Sequence, residues 1–412
     1  MIGVGKTIID YKTWLRICSK TLKINILLPN SKALRIGIVC YPTYGGSGVV
    51  ATELGLALAA KGHSIHFISY RQPERLSRHY NENISVHEVR PQNYPLFEFP
   101  PYELTLIGKM LEVVKFENLD VLHVHYAIPH AFSAYNAKLI LKNEGIDIPV
   151  ITTLHGTDVT LVGKDNSVAP VVKYSMEQSD YLTAVSDFLV DETRQYFQIT
   201  KDIEVIPNFI DFEKFSKKQF GHFKTSIAPN NEKIIVHVSN FRKVKRVQDV
   251  IKSFKLINVK TPSKLLLVGD GPERGNMEAL CRSMGLCDEI RFIGKLSAVE
   301  DILSIADLFM LPSETESFGL AALEAMACEC PVISTNVGGF PEINIHGETG
   351  YMCNIGDTEK MAELSVNLLT NKDLHDEFRH NAYKRSQEFA LSNILPLYES
   401  LYYRAVENKV LV

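Results

Sequence analysis

Apolar and polar positions form a regular succession of short buried runs and longer amphipathic segments along most of the chain. From Leu34 onward, RIGIVCY has the pattern of a buried strand, YGGSG that of a turn, VVATELGLALAAKG that of a helix ending in glycine, and SIHFISY that of the next strand. A β-α-β unit of this kind implies a parallel sheet. Further strands are predicted at 121–126, 150–156 and 181–186, with helical segments between them.

The same alternation restarts after a polar stretch that ends at Lys233. The predicted strands there are KIIVHVSN, KLLLVGDG, IRFIGK, LFMLPS, PVISTN and GYMCN. The sequence therefore predicts an α/β protein with two doubly wound Rossmann-like domains, at 34–207 and 208–388, joined near Pro207-Asn208. A C-terminal helix is predicted at 389–412, and residues 1–33 form an N-terminal extension of unknown role. A cleft between two such domains is the expected ligand site.

Composition narrows the possible partners. The chain has 412 residues, of which 45% are hydrophobic and 22% charged, and its formal net charge of -4 leaves no basic surplus for nucleic acid or anionic membrane. Seven scattered cysteines, an odd number, favour a reducing compartment over a disulfide framework. No apolar run approaches the roughly 18 residues of a membrane span, and basic residues interrupt the first 33 positions. A cytoplasmic enzyme is predicted.

A glycine turn follows the first predicted strand. Gly46-Ser-Gly48-Val-Val-Ala51 matches the dinucleotide fingerprint G-x-G-x-x-A. That fingerprint expects an acidic residue about 20 positions later, whereas the next strand runs into SYRQPER, with Arg71 first. An NADP-dependent oxidoreductase, which could use an arginine there, is one interpretation. The other is that the turn directs backbone N–H groups at a phosphate or carboxylate across the cleft.

The stretch ETESFGLAALEAMAC at 314–328 combines two carboxylates with a predicted strand-to-helix turn. A helix N-terminus leaves unpaired N–H groups and favours an anion such as phosphate, and Gly319 would let a ligand approach the backbone. The simpler interpretation is that Glu316 caps the helix while Glu324 lies on a solvated face.

Basic and imidazole side chains follow other predicted strands. Arg242, Lys243, Lys245 and Arg246 come directly after KIIVHVS, where one or two would face a ligand in the crevice; a solvated charged face is the alternative. His125 in VLHVHY and His155 in LHGTD are expected to reach the cleft. No nearby carboxylate completes a metal site with the histidines of VLHVHY.

Together these motifs resemble the retaining GT-B glycosyltransferases of family 4, and the resemblance covers 34–412. Glu316 to Glu324 matches the Glu-x7-Glu motif of that family. The resemblance implies that Glu316 contacts the donor sugar and that Glu324 contacts the ribose of the nucleotide. It also implies that the turn residues Ser317, Phe318, Gly319 and Leu320 meet the diphosphate.

One departure concerns the basic segment. Where the family usually has Gly-Arg…Lys, this chain has Ser239-Asn240…Lys245, and we expect Arg242 to replace the missing charge. The implied catalytic residues are Lys245, Glu316, Arg242 and His155. Gly46, Ser239 and Asn240 complete the implied donor site.

The stretches YPTYGGSGVVATELG, LHVHYAIPHA and TTLHGTD resemble one branch of the family more closely. That branch transfers N-acetylglucosamine from UDP-GlcNAc to the hydroxyl of L-malate, the first step of bacillithiol biosynthesis. The implied acceptor-binding residues are Gly46, Ser47, Gly48, Tyr94, His125, Thr153 and Lys173. A homodimer is implied, and no cofactor or metal is expected, since no Asp-x-Asp cluster marks the donor site. Other acceptors, such as an inositol phosphate or a lipid-linked sugar, stay open.

Overall fold

A computed structural model describes residues 32–43, 45–78, 80–91, 98–161, 163, 165–218 and 221–410 of the chain. The N-terminal extension therefore lies almost wholly outside the described residues. Within the described part, no helix combines the length and apolar character needed to cross a bilayer.

The first domain is built on a seven-stranded parallel sheet with the strand order β3-β2-β1-β4-β5-β6-β7. Its strands are β1 (Arg35–Val39), β2 (Ser64–Ser69), β3 (Ile84–Glu88), β4 (Val121–His125), β5 (Val150–Leu154), β6 (Tyr181–Ala184) and β7 (Ile203–Val205). Its helices are α1 (Ser47–Ala60), α2 (Tyr102–Glu117), α3 (Phe132–Asn143), α4 (Ala169–Gln178) and α5 (Asp187–Phe197).

The second domain has a six-stranded parallel sheet with the order β10-β9-β8-β11-β12-β13. Its strands are β8 (Lys233–Ser239), β9 (Ser263–Gly269), β10 (Ile290–Gly294), β11 (Leu308–Leu311), β12 (Val332–Thr335) and β13 (Gly350–Cys353). Its helices are α6 (Gly221–Ile227), α7 (Val247–Lys260), α8 (Arg274–Met284), α9 (Val299–Ile305), α10 (Leu320–Ala327), α11 (Phe340–Ile343), α12 (Thr358–Thr370) and α13 (Lys372–Ser386). The long helix α14 (Leu391–Val410) follows.

The two doubly wound sheets confirm the predicted fold class. Every predicted strand forms, because each is a short, mainly apolar run that ends at a turn or a polar stretch. The pattern missed β3 and β7. The first is an edge strand whose residues stay partly exposed, and the second has only three residues, so neither carries a continuous apolar signal.

Apolar packing covers both faces of each sheet. In the first domain, α1 and α14 cover one face and α2 and α3 cover the other. Helix α14 thus packs on the first domain, where Tyr398 and Tyr402 are fully buried. A further apolar cluster contains residues of both domains, among them Leu154, Val236 and Phe318. The carboxyl ends of β4 and β5 therefore lie close to those of β8 and β11, and the candidate site forms there.

Candidate active site

The turn between β11 and α10 is constrained to glycine at the helix start. Gly319 has a φ of +96°, and a Cβ on it would lie 2.7 Å from the Phe340 ring. Gly338 packs closely against the same turn, because a Cβ there would lie 1.9 Å from the carbonyl oxygen of Glu316. The amide of Gly339 donates to that carbonyl oxygen at 2.9 Å. The Gly-Gly pair thus fixes the turn, a role that its sequence pattern alone did not reveal.

Glu316 is paired with Lys245. The Lys245 Nζ donates to Glu316 Oε2 at 2.6 Å, and both side chains are about four-fifths buried, with 20% and 16% exposed. Lys245 ends a short 3-10 turn that follows β8. The amide of Glu314 donates to the Val244 carbonyl at 2.7 Å, which binds this basic turn to the β11-α10 turn. The predicted donor-site cation and carboxylate are therefore side by side.

The two arginines of this segment have different surroundings. Arg246 is held by the carboxylates of Asp249 and Glu314, so its charge is already used within the domain. Arg242 is exposed and forms no ion pair with another described residue. Burial raises the pKa of Tyr126 to about 12, and the Arg242 charge acts in the opposite direction. Arg242 therefore lies near the first domain, as a residue facing the cleft must.

Ser239 and Asn240 form the end of β8. Ser239 Oγ contacts His237 Nε2 at 2.7 Å and accepts from the Phe241 amide at 3.3 Å. A Cβ on Gly271 would lie 2.0 Å from the Asn240 carbonyl oxygen, so the backbone is closely packed there. The side chain of Asn240 itself is exposed.

Glu324 is buried, with 8% of its surface exposed, which contradicts the simpler interpretation of a solvated residue. It lines a pocket together with Arg75 and Lys214. Burial raises the pKa of this carboxyl from 4.5 to about 7, and the charges of Arg75 and Lys214 partly oppose that rise. A carboxylate held out of water here would be well placed to accept hydrogen bonds from a polar ligand.

We expect Glu324→Gln to change the pH dependence of stability. Because the folded-state pKa lies above the unfolded one, this carboxyl favours the folded state most below pH 4.5, and the contribution is lost as pH rises to about 7. In the variant, the free energy of unfolding should fall less than in the wild type over that range, as measured by urea titration. The exposed Glu82→Gln should keep the wild-type profile, and an equal profile for Glu324→Gln would contradict the assignment.

The glycine turn of the first domain contains three glycines, Gly45, Gly46 and Gly48, which have different roles. Gly46 is exposed and has a φ of +62° at the start of α1, with open space around it. A Cβ on Gly48 would lie 2.4 Å from Thr43 Oγ1, so this position needs glycine for packing. Between them, Ser47 Oγ donates to the Tyr126 hydroxyl at 2.6 Å. Gly45 and Gly46, both exposed and with nothing within 4 Å of an added Cβ, therefore leave the backbone open to a ligand, whereas Gly48 does not.

Two of the candidate histidines form a pair. His125 Nδ1 and His155 Nε2 are 2.7 Å apart. Burial lowers the pKa of His155 to about 3 and that of His125 well below its ordinary value, so both rings are neutral at pH 7. The carboxylate of Asp158, also buried, accepts from the amides of Ala127 at 2.9 Å and Gly156 at 3.0 Å. Asp158 thus holds the loop that carries His155.

This loop contacts the β11-α10 turn across the domain boundary. A Cβ on Gly156 would lie 1.6 Å from Ser317 Oγ, and Ser186 Oγ donates to the Ser317 carbonyl at 2.6 Å. The carboxylate of Glu342 accepts from the first amides of α5, those of Asp187 at 3.1 Å and Phe188 at 2.9 Å. The structure therefore places His155 beside the turn that carries Glu316.

Two predicted acceptor residues, Thr153 and Lys173, are not part of this cluster. Thr153 is fully buried, and its hydroxyl lies 2.7 Å from both His123 Nε2 and Thr183 Oγ1, which leaves it no free contact with the cleft. Lys173 lies on α4 and donates to the Gln198 carbonyl at 3.4 Å. Tyr94 lies outside the described residues. Their assignment to the acceptor stays a prediction, which the observed contacts of Thr153 and Lys173 do not favour.

The structure brings further residues to the site that the sequence patterns did not predict. Tyr126 and Ser186 follow β4 and β6, and Arg75, Lys214 and Glu342 approach from other segments. A strand-end position was the available signal for the first two. For the other three, only the fold could show that they meet the site.

Two family models match the chain. The model described as Glycosyltransferase Family 4 matches residues 44–214, and that described as Glycosyl transferases group 1 matches residues 219–385. The chain is 48% identical over 372 residues to the N-acetyl-alpha-D-glucosaminyl L-malate synthase of Bacillus anthracis, a match that covers 90% of this chain and 97% of that protein. It is 28% identical over 323 residues to an uncharacterized glycosyltransferase of Methanocaldococcus jannaschii, covering 74% of this chain and 80% of that one.

Solved structures resemble this one over most of its length. Sucrose-phosphate synthase from Thermosynechococcus elongatus has a TM-score of 0.74 at 22% identity, and the match covers 90% of this chain and 98% of the other. HepE of Anabaena, solved in complex with UDP and glucose, has a TM-score of 0.75 at 18% identity, covering 89% and 99%. At these identities the likeness establishes the two-domain GT-B fold.

Proposed function

Because the chain belongs to the glycosyltransferases of family 4 and group 1, we propose that it moves N-acetylglucosamine from UDP-GlcNAc to the hydroxyl of L-malate. The relative from Bacillus anthracis carries this proposal, since the two chains share 48% identity over 97% of its length. Both family models that match the chain describe glycosyltransferases, which favours glycosyl transfer over the oxidoreductase alternative.

The donor site is proposed at the β11-α10 turn and the adjoining basic segment. Departing UDP gains negative charge on its diphosphate, and fixed donors that face this charge lower the barrier. Lys245, Arg242 and the amides at the start of α10 supply such donors. Glu316 is paired with Lys245 at 2.6 Å. When the donor phosphates bind Lys245, Glu316 would be free to accept hydrogen bonds from the sugar hydroxyls. Glu324 would accept from the ribose.

The transfer is proposed to retain the configuration of the sugar. The malate hydroxyl forms a bond to the anomeric carbon on the face from which UDP leaves, as the bond from that carbon to the phosphate oxygen breaks. The hydroxyl proton passes to the departing phosphate oxygen, so no separate base is required. The neutral His155 ring is placed to hydrogen bond the donor sugar or the backbone beside it, and the loop held by Asp158 keeps it there.

Malate brings two carboxylates, which need donors close to the sugar. The open amide at Gly46 is the best placed candidate, because Gly46 is exposed at the start of α1. His125 is buried and paired with His155, so it would act on the acceptor only through that ring. We propose no cofactor and no metal at this site, since cationic side chains can balance the diphosphate charge.

The first experiment is to measure UDP release from UDP-GlcNAc in the presence of EDTA, with and without L-malate, and to identify the product by mass spectrometry. We expect release that depends on L-malate and a product with the mass of N-acetylglucosaminyl malate. D-malate is the matched control for acceptor geometry. UDP release with hydroxy acids or phosphorylated polyols, but not with L-malate, would overturn the proposed acceptor and leave glycosyl transfer intact. UDP release that occurs without EDTA and is lost when EDTA is added would contradict the metal-free mechanism.

The setting of the enzyme is part of the same proposal. The described cysteines are all free thiols, which supports the reducing environment of a cytoplasmic biosynthetic enzyme. A homodimer remains an expectation that gel filtration with light scattering would test.

A further inference from the structure

A second group of chemically capable side chains lies on the outer part of the first domain. His66 is on β2 and pairs with Ser85 of β3, so His87, two residues further along β3, faces the same side of the sheet. Glu117 is the last residue of α2, the helix that covers this face. The three residues come from separate segments, and the fold alone brings them together.

The ligand atoms of this group are arranged around a common point. His66 Nδ1 lies 3.1 Å from His87 Nε2 and 4.0 Å from Glu117 Oε2. Ligand atoms of a tetrahedral zinc ion, at bond lengths near 2.05 Å, are separated by about 3.3 Å. These two separations lie on either side of that value, and the three ligand atoms all lie within 4.8 Å of one another. A small movement of the partly exposed Glu117 side chain would complete three corners of a tetrahedron.

The orientation of His66 suits coordination through Nδ1. Its other nitrogen, Nε2, lies 3.1 Å from Ser64 Oγ. When the serine oxygen accepts a hydrogen bond from Nε2–H, Nδ1 carries the lone pair that a metal requires. A metal-bound histidine usually donates such a hydrogen bond from its other ring nitrogen. Burial lowers the pKa of both His66 and His87, so the rings are neutral, the form that binds metal, at neutral pH.

The surrounding charges leave the carboxylate available. Lys109, which lies near His87, is bound to Glu112 at 2.6 Å. Arg35 lies near His66 and opposes a positive charge there. The ion pair of Glu117 with a described residue is the one to His66, whose ring is neutral. A cation would therefore find one unneutralised carboxylate and two neutral imidazoles.

We propose that His66, His87 and Glu117 bind one divalent transition-metal ion, with Zn²⁺ the best match and water at the fourth position. Two imidazoles and a carboxylate form a ligand set that Zn²⁺ accepts readily, whereas Mg²⁺ and Ca²⁺ prefer oxygen ligands throughout. Glu117 precedes β4, at the edge of the sheet opposite to the strand ends that carry His155. The ion would stabilise the β2-β3-α2 packing and take no part in sugar transfer.

The test is a titration of the purified full chain, stripped with a chelator and dialysed, with Zn²⁺ by calorimetry and with Co²⁺ by absorption spectroscopy. We expect one equivalent of Zn²⁺, the strong visible bands of tetrahedral Co²⁺, and a higher melting temperature with Zn²⁺. Replacing a metal ligand should weaken binding more than replacing its hydrogen-bond partner, for which 10- to 100-fold is typical. His87→Gln and Glu117→Gln should therefore lose at least about 100-fold and Ser64→Ala about 10-fold.

The control is His380→Gln, which removes an exposed histidine of α13 and should bind like the wild type. Circular dichroism would show whether each variant is folded. If a variant is unfolded, the Co²⁺ spectrum of the wild-type protein still identifies the type of ligand. A plain hydrogen bond between the two imidazoles predicts no saturable binding, and that result would overturn the proposal. So would a thiolate-to-Co²⁺ charge-transfer band, since it would assign the ion to cysteines such as Cys281 and Cys287.

Discussion

Lys245→Ala should lower kcat for UDP release by about 10² to 10³-fold, the typical cost of removing one preorganised donor to a developing anion. The Nζ of Lys245 is held 2.6 Å from Glu316 in a partly buried position, so its charge is not freely replaced by water. It reaches the same turn whose amides are proposed to meet the diphosphate. The effect should therefore fall mainly on kcat, with a smaller change in KM for UDP-GlcNAc.

The matched control is Lys243→Ala. Lys243 belongs to the same 3-10 turn and carries the same charge, but its side chain is exposed. It tests whether the general positive charge of the segment matters, and its kcat should stay near the wild-type value. Steady-state kinetics of both variants, with melting temperatures to confirm folding, decide the matter. If both variants lost kcat to the same extent, Lys245 would act only through the general positive charge of the segment and not as a specific donor to the diphosphate.

Gly319→Ala should be the second severe substitution. An L-residue at a φ of +96° costs of order 1–3 kcal/mol, and the new Cβ would lie 2.7 Å from the Phe340 ring. The turn must therefore shift, and the amides at the start of α10 would lose their alignment with the diphosphate. We expect kcat/KM for UDP-GlcNAc to fall by about 10²-fold or more, together with a lower melting temperature.

Gly347→Ala separates these two effects. Gly347 also has a positive φ, +82°, but nothing lies within 4 Å of a Cβ built there. It should lower the melting temperature through backbone strain and leave kcat/KM unchanged. If Gly319→Ala lost stability to the same extent and kept its activity, the β11-α10 turn would not be the phosphate-binding element.

Periodicity determined the fold class and most of the strands, because buried parallel strands are continuous apolar runs that need no partner to be recognised. The edge strand β3 was missed for the same reason, since its residues are partly exposed. Positions after predicted strands marked the segments that carry Glu316 and Lys245, and the family resemblance singled out these two residues. Their mutual ion pair, across 71 positions of sequence, was visible only in the structure.

Burial and long-range pairing were decided by tertiary structure alone. Glu324 could be a solvated helix residue by sequence, yet packing against the first domain buries it and raises its pKa to about 7. Thr153 was assigned to the acceptor as a hydroxyl that could donate to malate, but its neighbours on β4 and β6 occupy its hydroxyl. The sequence by itself supplied candidate residues, whereas Arg75, Lys214 and Glu342 were found only from the fold. Which residues meet, and which are hidden from solvent, depends on contacts between distant segments that local patterns do not encode.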